Sequence, residues 1–386
     1  MPESNKQPHI LFLFSDTGGG HRSATEAIIE ALELEYKGSF TCEKVDIFKD
    51  YAPRPLNRMP DWYPYMVMAP QLWGASFRVT DGRSQARAIT ATMWPVAART
   101  ARRIIRNHPS DLVVTVHPLA ISWILKALGK NRPPFITVVT DMVTTHALWF
   151  DQRSDAILVP TEIARQKAIQ YGMPPEVVRV VGQPVARKYC IQNDAAGVDK
   201  ALIREKLGWP KDKFIALVVG GGEGMGPLGQ TARAIADSGL DVGLVIVAGR
   251  NERLKSSLEK THWQVPTLIY GFTREMPDFM RAADVLVTKA GPGTIAEAFN
   301  AHLPIILFAK LPGQEDGNVT YTVDEGAGVW APTPQRVVSA LREWVNNPGL
   351  RDKVVEACRH AARPNSSIDI AHVIGEKLGL ETSERR

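Results

Sequence analysis

The sequence contains few cysteines and no long apolar run. Its 386 residues include three cysteines, which lie far apart and lack the spacing of metal ligands. This usage argues against a disulfide framework and favours a reducing, cytoplasmic compartment. No uncharged apolar stretch approaches the roughly 20 residues that span a bilayer, so a transmembrane helix is not expected. The first residues lack the charged-then-apolar order of a secretory signal, and their apolar run HILFLF predicts a strand.

Common nucleotide-binding and metal-binding patterns are missing as well. The glycine loop TGGGHRSA has no Lys-Ser or Lys-Thr pair, which excludes a P-loop. Ser23 occupies the place of the third glycine of the dinucleotide fingerprint. No acidic pair of the Asp-x-Asp type follows a predicted strand, although adjacent acids occur in QEDGN. We therefore expect no bound metal.

Negative charge is scarce in one part of the chain. The formal net charge is +5, with +6 on residues 1–190 and −1 on the remainder. Between Ser76 and Arg106 there are seven arginines and one acid, Asp81. Such a segment is typical either of a solvated helix face or of a surface that contacts anionic groups such as phosphates.

What the sequence does contain is a regular alternation of apolar runs and amphipathic stretches. HILFLF, DLVVTVHP, FITVVTD and AILVPT are nearly continuously apolar, as buried parallel strands are, and helical periods lie between them. The pattern restarts at DKFIALVVGGGEGMG. We predict an α/β protein with two Rossmann-like domains, whose parallel sheets face each other across a cleft. The predicted parts are a domain over residues 1–190, a linker near 188–200, a domain over 200–365, and a C-terminal helix over 366–386 that can cross back to the first domain.

Glycine loops stand between strand and helix in both predicted domains. Glycine allows the backbone to approach a ligand, and the following helix N-terminus offers free N–H groups and partial positive charge. One such loop alone also fits a tight turn that binds nothing, but loops at equivalent places in two domains favour a ligand with phosphate groups. The glycines concerned are Gly18, Gly19 and Gly20, then Gly220, Gly221 and Gly222, and then Gly291 and Gly293.

Polar side chains follow the later loops. Glu297 is predicted about one turn inside a helix, where its carboxylate can accept from ribose hydroxyls or can simply favour the helix N-terminus. Gln314, Glu315 and Asn318 lie in the short segment LPGQEDGNV and offer the paired polar contacts that a sugar needs. An ordinary polar turn is the alternative for this segment, because Gly and Asn favour turns.

Together these motifs resemble a known family. The stretches SDTGGGHRSATEAI, VVTDMVTTHALWF, VVGGGEGMG, TKAGPGTIAEA and PGQEDGNVTYTVDEGAG, spread over about residues 9–375, resemble the monogalactosyldiacylglycerol synthase family, which includes bacterial diacylglycerol glucosyltransferases. A more distant resemblance is to the transferase that adds N-acetylglucosamine to the lipid-linked peptidoglycan precursor. The resemblance implies a GT-B glycosyltransferase of family 28 type, which moves a hexose from a UDP-sugar to the hydroxyl of 1,2-diacylglycerol with inversion. Galactose is favoured over glucose, the UDP-hexose is a co-substrate, and neither a metal nor another cofactor is implied.

The resemblance also implies roles for individual residues. The loop of Gly18, Gly19 and Gly20 approaches the donor diphosphate or the acceptor head. The family has a stretch like HPTWF where this chain reads HALWF, which places His146 and Trp149 at the acceptor. The implied donor-binding residues, with Phe272 at the uracil, are Gly220, Gly221, Gly222, Glu223, Phe272, Gly291, Gly293, Thr294, Glu297, Gln314, Glu315 and Asn318.

Glycosyl transfer needs a base for the acceptor hydroxyl and a means of stabilising the leaving UDP. Two residues of the first domain are candidates for the base. Asp141 ends the predicted strand FITVVT and so points into the cleft, whereas His21 closes the first glycine loop. A histidine at a helix N-terminus tends to be neutral, which suits a base or a hydrogen-bond donor. We rank Asp141 first as the base and His21 as its partner, and an N-cap aspartate and a packing histidine are the alternatives.

With a lipid as the acceptor, residues 59–77 can be interpreted as part of a membrane-binding surface. This stretch is rich in Trp, Tyr, Met and Phe, which suit a membrane interface, and the arginines follow it at once. We predict a monotopic surface that docks on anionic lipid at the cytoplasmic face of a membrane. A buried helical hairpin with a solvated basic face is the alternative. The predicted membrane residues are Trp62, Tyr63, Tyr65, Trp73, Phe77, Arg99, Arg102, Arg103 and Arg106.

Other functions fit parts of the same pattern. A nucleotide-sugar epimerase shares the predicted two-domain fold but needs no lipid-docking surface. A transferase that acts on a polyprenyl-linked acceptor and a nucleotide-sugar-binding protein without catalysis are further alternatives. A nucleic-acid partner is not expected, because the arginines lack interleaved stacking aromatics along one groove-like face.

Overall fold

The computed structural model describes residues 7–17, 19–67, 69–191 and 199–382. The chain divides into two compact units. The first comprises Met1–Arg187, Pro312–Gln314 and Asn365–Arg386, and the second comprises Lys188–Leu311 and Glu315–Pro364. Each unit is built on a six-stranded sheet. The predicted α/β class with two parallel sheets is confirmed, whereas the predicted cleft between two domains stays a prediction.

Six parallel strands form the sheet of the first unit, namely β1 (His9–Phe14), β2 (Thr41–Asp46), β3 (Leu112–Thr115), β4 (Phe135–Val138), β5 (Ala156–Val159) and β6 (Val178–Val180). Their order is β2-β1-β3-β4-β5-β6. Successive side chains of a strand point to opposite faces, so the apolar run of β1 supplies both sides of this sheet. Leu11 packs with Ile104 in one core cluster, and Ile10 packs with Ile28 in another.

The sheet of the second unit is also parallel, with β7 (Phe214–Val219), β8 (Val242–Val247), β9 (Thr267–Tyr270), β10 (Val285–Lys289), β11 (Ile305–Ala309) and β12 (Gly328–Trp330). The order is β12-β11-β10-β7-β8-β9. Val218, Val287 and Ile306, from the three central strands, join one core cluster with Ile235 and Leu341 from the covering helices. Because the strands of each sheet are parallel, the loops that follow its central strands lie at the same edge. Ligands of open α/β sheets bind at that edge.

Helices connect the strands and cover the sheets. The first unit contains α1 (Gly20–Glu35), α2 (Met59–Val67), α3 (Pro70–Thr80), α4 (Arg83–Asn107), α5 (Pro118–Leu128), α6 (Glu162–Gln170) and α15 (Ser366–Leu378). The second contains α7 (Lys200–Leu207), α8 (Leu228–Ala236), α9 (Glu252–Glu259), α10 (Met276–Ala282), α11 (Pro292–Asn300), α12 (Asp316–Asp324), α13 (Pro334–Asn346) and α14 (Pro348–Ala361). Short 3-10 turns include Leu56–Arg58 and Ala147–Trp149.

The last helix of the chain belongs to the core of the first unit. Ile370 and Ile374 of α15 are fully buried in the same apolar cluster as Leu32 of α1. A Cβ atom added at Gly375 would lie 2.3 Å from the hydroxyl oxygen of Tyr36, so only a glycine allows this close packing. The core of the first unit is thus completed by residues from the far end of the chain.

The aromatic and arginine-rich segment folds into α2, α3 and the long α4. Although α4 has 25 residues, its arginines make it too polar for the bilayer core. Across the described ranges, no helix is both long enough and apolar enough to span a membrane.

Candidate active site

Asp141 lies just beyond the end of β4, in the first unit, and is 8% exposed. Its Oδ2 accepts a hydrogen bond from Trp149 Nε1 at 2.7 Å, and its Oδ1 accepts one from Gln314 Nε2 at 3.2 Å. Burial raises the pKa of Asp141, while the hydrogen bonds from Trp149 and Gln314 act in the opposite direction. The site therefore holds a carboxylate that binds a proton more readily than an exposed aspartate.

His21 lies at the start of α1 and contacts Thr140, the residue that precedes Asp141. Its Nδ1 lies 3.1 Å from the hydroxyl of Thr140, and the ring also hydrogen bonds to the backbone of Val116. Burial lowers the pKa of His21 to about 4, against the opposing effect of the Val116 hydrogen bond. The imidazole is therefore neutral near pH 7. The ring centroids of His21 and Trp149 lie 6.3 Å apart, so the two predicted bases share one cluster with this indole.

His117 belongs to the same cluster and was not singled out by the sequence analysis. Its ring packs edge-on against His21, with centroids 4.8 Å apart. Its Nδ1 accepts a hydrogen bond from Leu119 N at 3.3 Å and so caps α5. Burial and then the neighbouring His21 lower the pKa of His117 well below its usual value. The signal was a polar residue in DLVVTVHP, two positions after the end of β3.

Trp149 and His146 hold the loop that follows Asp141. Trp149 is 1% exposed and packs in the core of the first unit. His146 is 7% exposed, and its Nε2 lies 3.1 Å from the hydroxyl of Thr80, while its Nδ1 accepts from Leu148 N. Trp149 thus contacts Asp141 directly, whereas the His146 ring contacts Thr80 and Leu148, and their predicted contact with the acceptor stays a prediction.

Asp81, the lone acid of the arginine-rich segment, anchors the same loop. Its Oδ1 accepts hydrogen bonds from Ala147 N at 2.8 Å and from the Tyr171 hydroxyl at 3.0 Å. Its Oδ2 pairs with Lys167 Nζ at 3.0 Å. Burial alone would raise the pKa of Asp81, but the Lys167 hydrogen bond and the Ala147 N–H bring it below its usual value. Asp81 thus ties the junction of α3 and α4 to the turn that carries Trp149.

Gln314 joins this cluster through the short segment Pro312–Gln314, which belongs to the first unit. A Cβ atom added at Gly74 of α3 would lie 2.7 Å from Pro312 Cβ, so α3 and this segment are in close contact. Gln314 Oε1 is buried and has no hydrogen-bond partner among the described residues. An acceptor of this kind is suited to a hydroxyl group of a ligand.

The glycine loop 220–224 begins the candidate donor site of the second unit. The loop folds back on itself, because Met225 N donates to Gly220 O at 2.7 Å. Gly224 has a φ of +61°, and a Cβ atom there would lie 2.4 Å from Ala248 O, so glycine is required. Arg250 N donates to Gly222 O at 2.8 Å, and the Arg250 side chain pairs with Glu223 at 2.9 Å. The Arg250 guanidinium also lies over the ring of Phe272, which is 59% exposed.

Lys289, at the end of β10, is a cation that the sequence analysis missed. A Cβ atom added at Gly221 would lie 3.0 Å from Lys289 Cε, and one added at Gly291 would lie 3.0 Å from Lys289 Nζ. Lys289 therefore adjoins both glycine loops of the second unit. Its Nζ lies 2.6 Å from Oε1 of Glu315, which is 3% exposed, and Glu315 Oε2 accepts from Leu311 N. Both carboxylate oxygens of Glu315 thus have partners in the protein, and its predicted contact with the donor stays a prediction.

The remaining predicted donor residues lie on or near α11, whose N-cap is Gly291. No described heavy atom lies within 4 Å of a Cβ built on Gly293, and Thr294 is half-buried one residue later. Burial raises the pKa of Glu297 to about 8, while the Lys188 charge and a Tyr189 hydrogen bond act in the opposite direction. Asn318 is 1% exposed and donates to Ala290 O at 2.9 Å.

Comparison with known proteins places this geometry in a family. Residues 21–185 match the family model described as Monogalactosyldiacylglycerol (MGDG) synthase, and residues 215–356 match the Glycosyltransferase family 28 C-terminal domain. A probable monogalactosyldiacylglycerol synthase 2, chloroplastic, of Oryza sativa subsp. japonica is 37% identical over 376 residues, which cover 94% of this chain and 79% of the relative. The chain belongs to the monogalactosyldiacylglycerol synthase family.

A second relative and two solved structures agree with this membership. Monogalactosyldiacylglycerol synthase 2, chloroplastic, of Arabidopsis thaliana is 34% identical over 389 residues, which cover 97% of this chain and 81% of the relative. MurG of Acinetobacter baumannii superposes with a TM-score of 0.61 at 15% identity over 96% of this chain and 99% of that chain. MnaA of S. aureus, in its UDP co-structure, superposes with a TM-score of 0.63 at 17% sequence identity over 97% of both chains. At these identities the solved structures show the GT-B-like fold alone.

Within this family member, the predicted membrane residues divide by exposure. Trp62 is 40% and Tyr65 is 73% exposed, whereas Trp73 and Phe77 are half-buried. The Phe77 ring packs on His146, with centroids 5.0 Å apart. Gly18 and the side chain of Tyr63 lie outside the described residues, and a Cβ built on Gly20 meets no described atom within 4 Å. The exposed arginines of α4 are Arg83, Arg87, Arg99, Arg102, Arg103 and Arg106.

Proposed function

We propose that this chain transfers galactose from UDP-galactose to the free hydroxyl of 1,2-diacylglycerol, with inversion at the anomeric carbon. The observation that carries the proposal is the buried Asp141, held by Trp149 and preceded by Thr140, which contacts His21, in a chain whose curated relatives are named monogalactosyldiacylglycerol synthases. UDP-galactose and diacylglycerol are thus the proposed partners, and glucose is the second candidate sugar.

The first unit supplies the proton acceptor. The acceptor hydroxyl oxygen forms a bond to the anomeric carbon, the bond from that carbon to the UDP oxygen breaks, and UDP leaves with the electron pair. Asp141 takes the hydroxyl proton, because its raised pKa makes the carboxylate a better base than an exposed aspartate. Neutral His21 serves as a hydrogen-bond partner beside it and as the alternative base.

The second unit supplies positive charge for the leaving diphosphate. Lys289 Nζ lies beside Gly291, where α11 begins and presents free backbone N–H groups. Together the ammonium and the helix terminus stabilise negative charge as it develops on UDP. Glu315 keeps the lysine in place through its 2.6 Å ion pair.

Two buried amide oxygens fit a role in sugar recognition. Gln314 Oε1 and Asn318 Oδ1 each have no hydrogen-bond partner within the part of the chain that the structure describes. A buried acceptor without a donor costs free energy, and a hexose or ribose hydroxyl removes that cost when it binds. Glu297 remains the proposed ribose contact, and Phe272 with its backbone remains the proposed uracil contact.

The epimerase alternative is less well supported. A UDP-N-acetylglucosamine 2-epimerase from Neisseria meningitidis shares the fold at 13% identity, which carries no information about the reaction. The relatives above 30% identity are named as synthases of a galactolipid. We further propose peripheral attachment to anionic membrane at its cytoplasmic face, through the exposed residues of α2 to α4.

Product analysis tests the proposal. The purified chain is incubated with diacylglycerol vesicles and with UDP-galactose or UDP-glucose in separate reactions, and the lipids are analysed by mass and sugar composition. We expect monogalactosyldiacylglycerol from the first donor at a much higher rate. A glucolipid as the main product would contradict the galactose assignment, and release of an epimerised UDP-sugar without any glycolipid would overturn the transferase proposal.

A further inference from the structure

An apolar pocket lies in the first unit, outside the cluster around Asp141. Fifteen residues line it, and all of them except Thr100 have aliphatic, aromatic or methionine side chains. The Thr100 hydroxyl is not directed at a ligand, because it donates to Tyr51 O at 3.3 Å. Segments from five places meet there, represented by Phe48 after β2, Leu56 in the first 3-10 turn, Met59 of α2, Met93 of α4 and Trp123 of α5.

One residue of the pocket wall packs against the proposed catalytic cluster. Phe48 lines the pocket, and its ring packs edge-on against His117 with centroids 5.6 Å apart. His117 in turn packs against His21 at 4.8 Å. Two ring contacts therefore connect the apolar pocket wall to His21, one of the two candidate bases.

The mouth of the pocket carries both apolar and basic groups. Val96 and Pro53 both line the pocket and are exposed, Val96 by 50%, so this part of the wall reaches the surface and forms the mouth. Arg99 and Arg103 follow Val96 at three and seven positions along α4, so they lie on the same side of the helix. An apolar opening flanked by cations matches a lipid with apolar chains at an anionic surface.

The shape of the pocket suits a flexible chain. Its cavity volume is about 50 Å³. This volume is too small for a sugar ring but accepts a few methylene groups. Met59 and Met93 form part of the wall, and unbranched methionine side chains adapt readily to the shape of a ligand.

We propose that this pocket binds the proximal part of one acyl chain of the lipid acceptor. The inference rests on the proposed function, in which diacylglycerol is the acceptor. Binding of one chain fixes the distance between the glycerol hydroxyl and the His21–Asp141 cluster, and the second chain remains in the bilayer. The pocket thus selects an acceptor by its acyl chain, independently of the sugar donor.

Photolabelling tests the assignment directly. The intact chain is bound to vesicles that contain diacylglycerol with a diazirine on one acyl chain near the ester, illuminated, and mapped by peptide mass analysis. We expect the label on Met59, Met93 or Trp123. In Val96→Trp, where the mouth is narrowed at an exposed position, labelling should fall by about tenfold, the effect of excluding roughly two methylene groups from an apolar site.

Ile163→Trp is the matched control, because Ile163 is 51% exposed on α6, lies outside the proposed membrane surface of α2 to α4, and does not line the pocket. It should label as the wild type does. Label confined to residues outside the pocket, or equal labelling in Val96→Trp, would overturn the inference. Galactolipid formation in the same vesicles separates the two proposals. Galactolipid without pocket label refutes the pocket alone, and pocket label without galactolipid refutes the proposed function alone.

Discussion

At the scale of single residues, Asp141 shows how a folded chain sets the basicity of one carboxyl group. Burial raises its pKa, whereas the indole N–H of Trp149 and the amide of Gln314 limit that rise by stabilising the anion. The raised pKa makes this carboxylate a stronger base than a fully exposed aspartate, and the two donors oppose the effect of burial.

Trp149→Phe should shift the pH dependence of transfer. Loss of the indole N–H removes a donor that stabilises the carboxylate, so the pKa of Asp141 rises further. The acidic limb of kcat should move to higher pH by about 1–2 units, since a hydrogen bond to a charged group contributes roughly 1.5–3 kcal/mol. Trp263→Phe, which removes an indole that donates to Leu258 O, is the control. An unchanged limb in Trp149→Phe would contradict the positioning role.

The proposed role of Lys289 in donor binding can be tested without leaving the buried Glu315 carboxylate unpaired. In the double variant Lys289→Met with Glu315→Gln, the ammonium and its partner are neutralised together. The KM for UDP-galactose should rise by about 10- to 100-fold, because a charge-assisted hydrogen bond to phosphate is lost. Lys213→Met removes a lysine that pairs with Asp241 at 2.7 Å and serves as the control. Equal KM values in the double variant and the wild type would remove Lys289 from the donor site.

The sequence predicts the site only in part. Asp141 and His21 stand at strand and helix ends, which can be located from apolar runs and glycines. The inward orientation of Trp149 and His146 depends on α3 and on the Asp81 anchor, and no local pattern encodes that packing. Lys289 could not be predicted as a site residue, because a lysine at the end of a strand is common. Its proposed role depends on the two glycine loops that lie beside it in the folded chain.

At the scale of elements, the strands divide into those the sequence reveals and those it does not. The central strands are fully buried, so their apolar runs are continuous and easily predicted. The edge strands β6 and β12 have three residues each and are partly exposed, so no apolar run marks them. Both were missed, and both lie at the end of a sheet.

The helix α4 is the element on which membrane binding can be tested. In the variant Arg99→Gln, Arg102→Gln, Arg103→Gln and Arg106→Gln, the wild-type excess of binding to anionic over neutral vesicles should largely vanish. Each arginine near an anionic surface contributes about 1 kcal/mol, and salt should screen that part in the wild type. Co-sedimentation with anionic and neutral vesicles, at low and high salt, measures this excess binding. If the wild type binds neutral and anionic vesicles equally at low salt, the arginines form only a solvated face.

At the scale of the whole molecule, the two units carry different halves of the proposed chemistry. The first holds the proposed base and the apolar pocket, and the second holds Lys289 and the N-terminus of α11, which we propose stabilise the diphosphate. The first unit is completed by Pro312–Gln314 and α15, and Gln314 contacts Asp141 directly. Duplicated sheets and glycine loops were predictable, whereas this sharing of segments required the folded structure.

The central claim is a single displacement in which Asp141 is the base, and the linkage of the product tests it most directly. UDP-galactose carries an α-linked sugar, so inversion should give a β-galactosyl lipid, which is determined by NMR of the purified product. In Asp141→Asn, kcat should fall by a factor on the order of 10²–10⁴ while UDP binding is retained. Loss of activity in His21→Ala together with near-normal activity in Asp141→Asn would make His21 the base. An α-linked product from the wild type would contradict the displacement mechanism itself.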